Sequence, residues 1–460
     1  KGVILHQDPN DVSTIAAGRD IFYAGTTYTF YDSNTRSVTI EPGLQIAGPG
    51  TLEVTAGQNL YQGSSAAIDS IGPIVTGDTR PGANVVLQAG VGAGTPGVGA
   101  VDWDGFAALY LDPANQIGMV QGQPLPLEGS GKVAKTYNDE LFAWMKAHYG
   151  YTGTQEDAFV AFQALPGAQQ RVFLRTVYYA ELTAGGREYN DPDSSRFGSY
   201  LRGRNAIAAL FPKEGAYSGD ITLFSVPFSD PSFKLVSSGY VHTDFGGDIQ
   251  LLTPGGGITV GTEGLSPGAN AGLITQGAGN IEIYANDSVL LGLSRIMTTF
   301  GGDILAWSAE GDINAGRGAK TTVLFTPPRR TYDLYGQASL APQVPSTGAG
   351  IATLAPIPEV PAGDIDLIAP LGTVDAGEAG IRVSGDINIA ALHVVNAANI
   401  QVKGNATGLP QTAAVNTGAL TAASNAATAV SQLANQMVRK PAPMNVPMIM
   451  TVQFVGFGAN

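Results

Sequence analysis

The tripeptide Gly-Asp-Ile occurs six times in this chain, with its aspartate at Asp220, Asp248, Asp303, Asp312, Asp364 and Asp386. Asp20, Asn280 and Asn399 stand before an isoleucine in the same way. Short apolar runs follow, among them Ile249-Gln-Leu-Leu, Ile281-Glu-Ile-Tyr, Ile304-Leu-Ala-Trp and Ile387-Asn-Ile-Ala. Each predicts a strand of four or five residues with one face buried. Glycine permits the positive φ of a sharp corner. The Asp or Asn beside it is suited to bonding its own backbone two residues on. Isoleucine then opens the inward face of the next strand.

The spacing turns this local unit into an architecture. Asp220 to Asp248 is 28 residues, Asn280 to Asp303 is 23, and Asp364 to Asp386 is 22. A period in the twenties is the length of a solenoid rung. The step from Asp303 to Asp312 is only 9, so one rung must hold more than one such corner. Stacked rungs pair every strand with the one above, giving parallel sheets around a continuous apolar interior.

The same unit, less regular, is read across residues 1–100, in Arg19-Asp-Ile-Phe-Tyr, Ser37-Val-Thr-Ile, Gly50-Thr-Leu-Glu-Val and Ala83-Asn-Val-Val-Leu. Residues 101–212 break it. There the period becomes helical: Leu141, Phe142 and Met145; Phe159 and Phe162 behind a Thr154 cap; then 167–184, ending at Gly185-Gly186; then 199–211. This stretch is expected to be a helical insertion. Rungs are expected again over 213–325 and 363–407, with a Pro-rich loop ejected over 326–362. Residues 408–460 are expected to form an alanine- and threonine-rich helix and a C-terminal cap. The fold class is therefore mainly β: a solenoid with a small α-helical insertion.

Composition narrows the function. Lys+Arg is 24 against Asp+Glu 38, a net charge of −14, so no nucleic-acid partner is expected, since phosphate neutralisation needs clustered cations. The hydrophobic share of 44% argues against general disorder. Cysteine is absent, which removes disulfides, thiolate metal sites and a cysteine nucleophile. It also suits a chain that crosses a membrane unfolded. No run of 18 apolar residues predicts a transmembrane helix. The chain opens in mid-pattern at Lys1, and the reading is a processed piece of something longer.

Little in the sequence points to catalysis. The repeated aspartates are expected to be turn formers rather than a calcium ladder, because the tight nonapeptide of calcium-binding repeats is absent. His6, His148, His242 and His393 are too scattered for a zinc motif, and no Gly-x-Ser-x-Gly elbow is present. No metal, cofactor or catalytic residue is expected. The carboxylate pairs Asp102/Asp104 and Asp191/Asp193 are what a polysaccharide-active enzyme on the same scaffold would use. Trp103, Trp144, Tyr149 and Tyr151 are the candidate ligand contacts, as rings that either stack on sugars or form the insertion's own core. Trp307, in an alternating strand, is expected to pack between rungs.

Residues 299–320 and the stretches beginning at Tyr217, Gly246 and Ala362 resemble the C-terminal region of filamentous-haemagglutinin family exoproteins. The helical insertion ending in Ala206-Ile-Ala-Ala-Leu-Phe-Pro is similar to the same family. The resemblance covers roughly residues 130–460. It implies a right-handed parallel β-helix, located outside the cell or on the bacterial outer surface. Export would run by the two-partner route through an outer-membrane transporter. It implies a structural or adhesive role in attachment, biofilm or filament formation, with glycans or exopolysaccharide and self-association as partners. Some relatives carry a contact-dependent toxin, which makes a toxin stalk a further alternative.

Overall fold

The structure, a computed structural model, describes residues 2–23, 28–31, 37–40, 43–62, 67–75, 77–92, 99–117, 130–223, 239–263, 271–318, 329–332, 338–341, 348–355 and 357–410. It is mainly β, with parallel strands stacked in chain order. Among the described residues one sheet has nine strands and so counts nine rungs. Rungs 1 to 3 are Gly2–Leu5, Val12–Ala17 and Ile21–Tyr23; Gly43–Ala47, Thr51–Ala56 and Leu60–Gln62; and Ala67–Ser70, Asn84–Ala89 and Ile221–Thr222. Rungs 4 to 6 are Tyr240–Thr243, Ile249–Thr253 and Ile258–Thr259; Gly272–Thr275, Ile281–Ala285 and Val289–Leu290; and Arg295–Thr298, Ile304–Ser308 and Ile313–Asn314. Rungs 7 to 9 are Gly350–Thr353 and Ile365–Asp375; Ile381–Val383 and Ile387–Val395; and Ile400–Val402 and Ala406–Thr407.

The first strands of the rungs form the nine-stranded sheet. The second and third strands form two faces of a fifteen-stranded sheet. These two faces join through Ile365–Asp375, whose Ile365 pairs Ile304 and whose Val374 pairs Ile313. Asp303 and Asp312, nine residues apart in sequence, stand before the second and third strands of rung 6. Inward columns such as Leu52, Val85, Ile249, Ile281, Ile304, Ile365 and Ile387 follow the register and build one apolar interior.

Two antiparallel hairpins lie outside the stack, Tyr28–Tyr31 with Ser37–Ile40 and Arg329–Tyr332 with Ala338–Ala341. Ser37-Val-Thr-Ile, read from the sequence as a rung strand, is thus a hairpin arm. The expected loop of 326–362 also needs correction. Gly350–Thr353 within it pairs Arg295–Thr298 and Ile381–Val383 and is the first strand of rung 7. Proline on both sides hides a strand of only four residues. The helix and C-terminal cap read for 408–460 lie outside the described residues from 411 onward.

Among the described residues, five α-helices stand between the second and third strands of rung 3: α1 (Trp103–Leu111), α2 (Asn138–Tyr149), α3 (Gln155–Gln163), α4 (Gly167–Asn190) and α5 (Leu201–Leu210). Thr154 caps α3 by accepting from the Asp157 N–H. Helix α4 does not end at Gly185-Gly186 as the sequence suggests but runs on to Asn190. These glycines serve close approach. A Cβ at Gly185 would come within 2.7 Å of the Gly203 nitrogen on α5, and one at Gly186 would run into Ile368.

Candidate functional site

The feature that sets this solenoid apart is the seam where α4 lies along the outward side of the second face. Strand alternation sends two columns of side chains outward there. One runs Glu53, Val86, Gln250, Glu282, Leu305, Asp366, Asn388. The other runs Gln88, Leu252, Tyr284, Trp307, Ile368, Ala390. The sequence reading leaves this side to solvent, yet the strand Ile304–Ser308 is buried on both faces because the helical layer covers it. Trp307 therefore does not sit between rungs. It points outward, fully buried, with Gly203 of α5 against its ring.

Helix α4 runs across the rungs. Arg171 and Arg175 hold Glu53 of rung 2 at 2.6 Å each. Arg175 Nε also donates to Gln250 of rung 4 at 3.0 Å, and Gln250 donates to Glu282 of rung 5 at 2.7 Å. The Tyr179 hydroxyl donates to the Leu251 carbonyl at 3.0 Å. Farther along, Arg187 pairs with Asp366 of rung 7 at 2.8 Å, and Asn190 donates to Asn388 and to the Ile389 carbonyl of rung 8, each at 2.8 Å. From Arg171 to Asn190 the helix rises about 28 Å. Six rung steps span about 29 Å, so the match in length is close.

The charges of the seam follow from this packing. Burial alone would raise the Glu53 carboxyl, but the Arg175 and Arg171 guanidinium groups outweigh it and hold it below its ordinary value. Glu282 is pushed up to about 8 by burial and by the neighbouring Asp248 charge. Asp366 is also raised, chiefly by burial, although Arg187 and Asn388 pull the other way. Between α4 and α5, Arg202 holds Glu181 through Nη2 at 2.6 Å and contacts Glu188, while the Tyr137 hydroxyl donates to Glu181 at 2.6 Å.

The repeat corners carry a second pattern. The Asp or Asn side chain accepts from the backbone N–H of its counterpart one rung on, not from its own backbone. Asn84 accepts from Asp248, Asp248 from Asn280, Asn280 from Asp303 and Asp303 from Asp364, all at 2.8 Å. Asp364 then accepts from Asp386 at 2.9 Å, and Asp386 from Asn405 at 2.7 Å. At the other corner Asp220 accepts from Gly257 at 2.8 Å and Asp312 from Thr373 at 2.7 Å. Inside the first corner, register-aligned Thr243, Thr275, Thr298 and Thr353 donate to the carbonyls of Gly247, Gly279, Gly302 and Gly363. Gly302 holds φ +93°, and a Cβ there would strike the Gly279 carbonyl.

The residues singled out from sequence fall elsewhere. Asp102 caps α1 by accepting from the Gly105 N–H, with Asp104 in the first turn, and Asp191 accepts from the Asp193 N–H. The Asp102 and Asp191 carboxylates thus serve local chain geometry. Trp103, Trp144, Tyr149 and Tyr151 are half-buried and pack against the core of the helical layer. Trp144 stacks on His148 at 4.8 Å and meets Phe173 at 5.3 Å. His6 braces the first corner, its Nδ1 3.0 Å from the Pro49 carbonyl and its Nε2 2.8 Å from Ser13 Oγ. Among the described residues no group of three His or acidic side chains is placed to hold a metal. Open clefts border the layer. One of about 380 Å³ lies at the end of α4, lined by Arg187, Asn190, Asp386 and Thr407. One of about 480 Å³ lies beside α1 and α5, lined by Asp102, Lys132 and Glu214.

No curated protein and no solved structure matches the chain. Residues 301–411 carry the corners at Asp303, Asp312, Asp364 and Asp386 and the later rungs; they match the model of the family described as filamentous haemagglutinin family outer membrane protein.

Proposed function

We propose that this chain is part of the shaft of a structural, adhesive exoprotein at the bacterial outer surface or released from it, acting in attachment, biofilm or filament formation. The observation that carries this reading is the stack of nine rungs around one apolar interior, whose later part lies in the family match. Nearest-neighbour stacking gives such a body length and stiffness without a catalytic centre. Export runs through a two-partner outer-membrane transporter, and the absence of cysteine suits passage as an unfolded chain. The helical layer, bordered by open clefts, projects from the shaft, where recognition is expected to concentrate. Glycans or the producer's exopolysaccharide are the partners of this reading.

The test is attachment. Antibody raised against this chain should label intact producer cells. Beads coated with the chain should adhere to a glycan panel or to exopolysaccharide without releasing shortened sugars. Unlabelled cells together with inert beads would overturn the reading. Released oligosaccharides would replace it with that of a polysaccharide-active enzyme.

A further inference from the structure

The helical layer leaves the stack at rung 3 but lies on rungs that come before and after it in the chain. Glu53, the anchor for Arg171 and Arg175, precedes the layer. Asp366, the anchor for Arg187, follows that arginine by 179 residues, and Ile389 follows Asn190 by 199. Arg171 and Arg175 thus have their Glu53 partner as soon as rung 2 exists, and Arg175 and Tyr179 gain Gln250 and the Leu251 carbonyl with rung 4. Arg187 and Asn190, in the last two turns, make their hydrogen bonds to the stack only with rungs 7 and 8. The outward side chains beneath it, among them Trp307 and Ile368, are buried only once the layer is down.

We propose that α4 is a strap that closes in two stages. Its first half docks early on Glu53. Its last two turns close last, onto rungs 7 and 8, and that closure holds the late rungs in the stack. Stacked repeats are otherwise tied only to their neighbours and open from the ends. A strap fixed at Glu53 and Asn388 ties rung 8 directly to rung 2. Late rungs are then released only when the last two turns of α4 let go.

Hydrogen exchange read by mass spectrometry tests this on the full chain. In refolding from urea with pulse labelling, amides of 43–56 and of the first half of α4 should gain protection first. Amides of 365–395 and of the last two turns of α4 should follow together, in one later phase. In the native state, Arg187→Ala combined with Asn190→Ala should speed exchange at least tenfold in 365–395 and the end of α4. It should leave 43–62 unchanged. The chain has no cysteine, so Asn190→Cys with Asn388→Cys adds a single cross-link, and its oxidation should slow exchange over 365–395. Protection of all of α4 before the strands of 365–395 would overturn the proposal. So would a double variant that loosens every rung equally or none, or a cross-link without effect on the late rungs.

Discussion

Arg175 and Glu53 meet at 2.6 Å across the seam between helix and stack, with side chains only 1% and 2% exposed. The pair joins a helix to a strand 122 residues earlier in the chain. It is a seam contact out of reach of salt and water, so its two members are not interchangeable with surface charges.

Removing one partner of such a pair strands the other in the interior. Arg175→Ala should cost about 3 kcal/mol in urea unfolding, and Glu53→Leu combined with Arg175→Met should cost much less. A loss below about 1 kcal/mol for the single variant would mean that Arg171 alone satisfies Glu53.

Glycines in helices separate packing from propensity. At Gly167 a Cβ would meet nothing closer than 3.9 Å, so Gly167→Ala should stabilise the chain by up to about 1 kcal/mol. At Gly203 a Cβ would run into the Trp307 ring. Gly203→Ala should therefore destabilise by about 1–3 kcal/mol and shift Trp307 fluorescence to the red. Equal effects of the two substitutions would refute the close crossing.

The seam also sets a pH dependence. Glu282, with an ordinary value of 4.5, titrates near 8 in the folded chain. Between those values the folded state keeps a proton that the unfolded chain has released, so this group makes stability fall as pH rises from about 4.5 to about 8. Glu53 is lowered, and its contribution is lost as pH falls below its ordinary 4.5. Glu282→Gln should be more stable than wild type at pH 8 and show no difference at pH 4. Parallel stability curves for the two chains across that range would exclude Glu282 as the source.

The corner ladder asks only for an acceptor. Asp303→Asn should be neutral within about 0.5 kcal/mol, while Asp303→Ala should cost about 1 kcal/mol by leaving the Asp364 N–H unmatched. Thermal unfolding of the two variants checks this. A cost for asparagine equal to that for alanine would show that charge, not acceptance, matters there.

The stack was legible because Gly-Asp-Ile marks corners by local chemistry, and because its spacings are rung lengths. The partner of each aspartate was not legible, since the accepted N–H lies one rung away and no local pattern reveals it. The seam stayed hidden for a related reason. Glu53, Gln250, Glu282, Asp366 and Asn388 sit at outward strand positions where polar residues are ordinary, and only the covering helix makes them buried. One clue was available: Arg171 and Arg175 stand four apart, on one helical face, in a chain with few charges. Gly185-Gly186 misled because the same residue type ends helices and lets them touch. Trp103, Trp144, Tyr149 and Tyr151 illustrate a further limit, for rings that stack on sugars and rings that fill a small core look alike in sequence.

Helix α4 advances about 5.4 Å per turn, whereas the rungs beneath it recur about every 4.8 Å. The two periods do not divide, so no helix face meets successive rungs in the same way, and the anchors at Glu53 and Asn388 fit only one separation. Solenoids ordinarily lengthen or shorten by duplicating or deleting a repeat. Here a rung gained or lost between those anchors would move the far one out of reach. The helix thus acts as a gauge of copy number, freezing the count across this stretch while leaving the rungs beyond it free to vary.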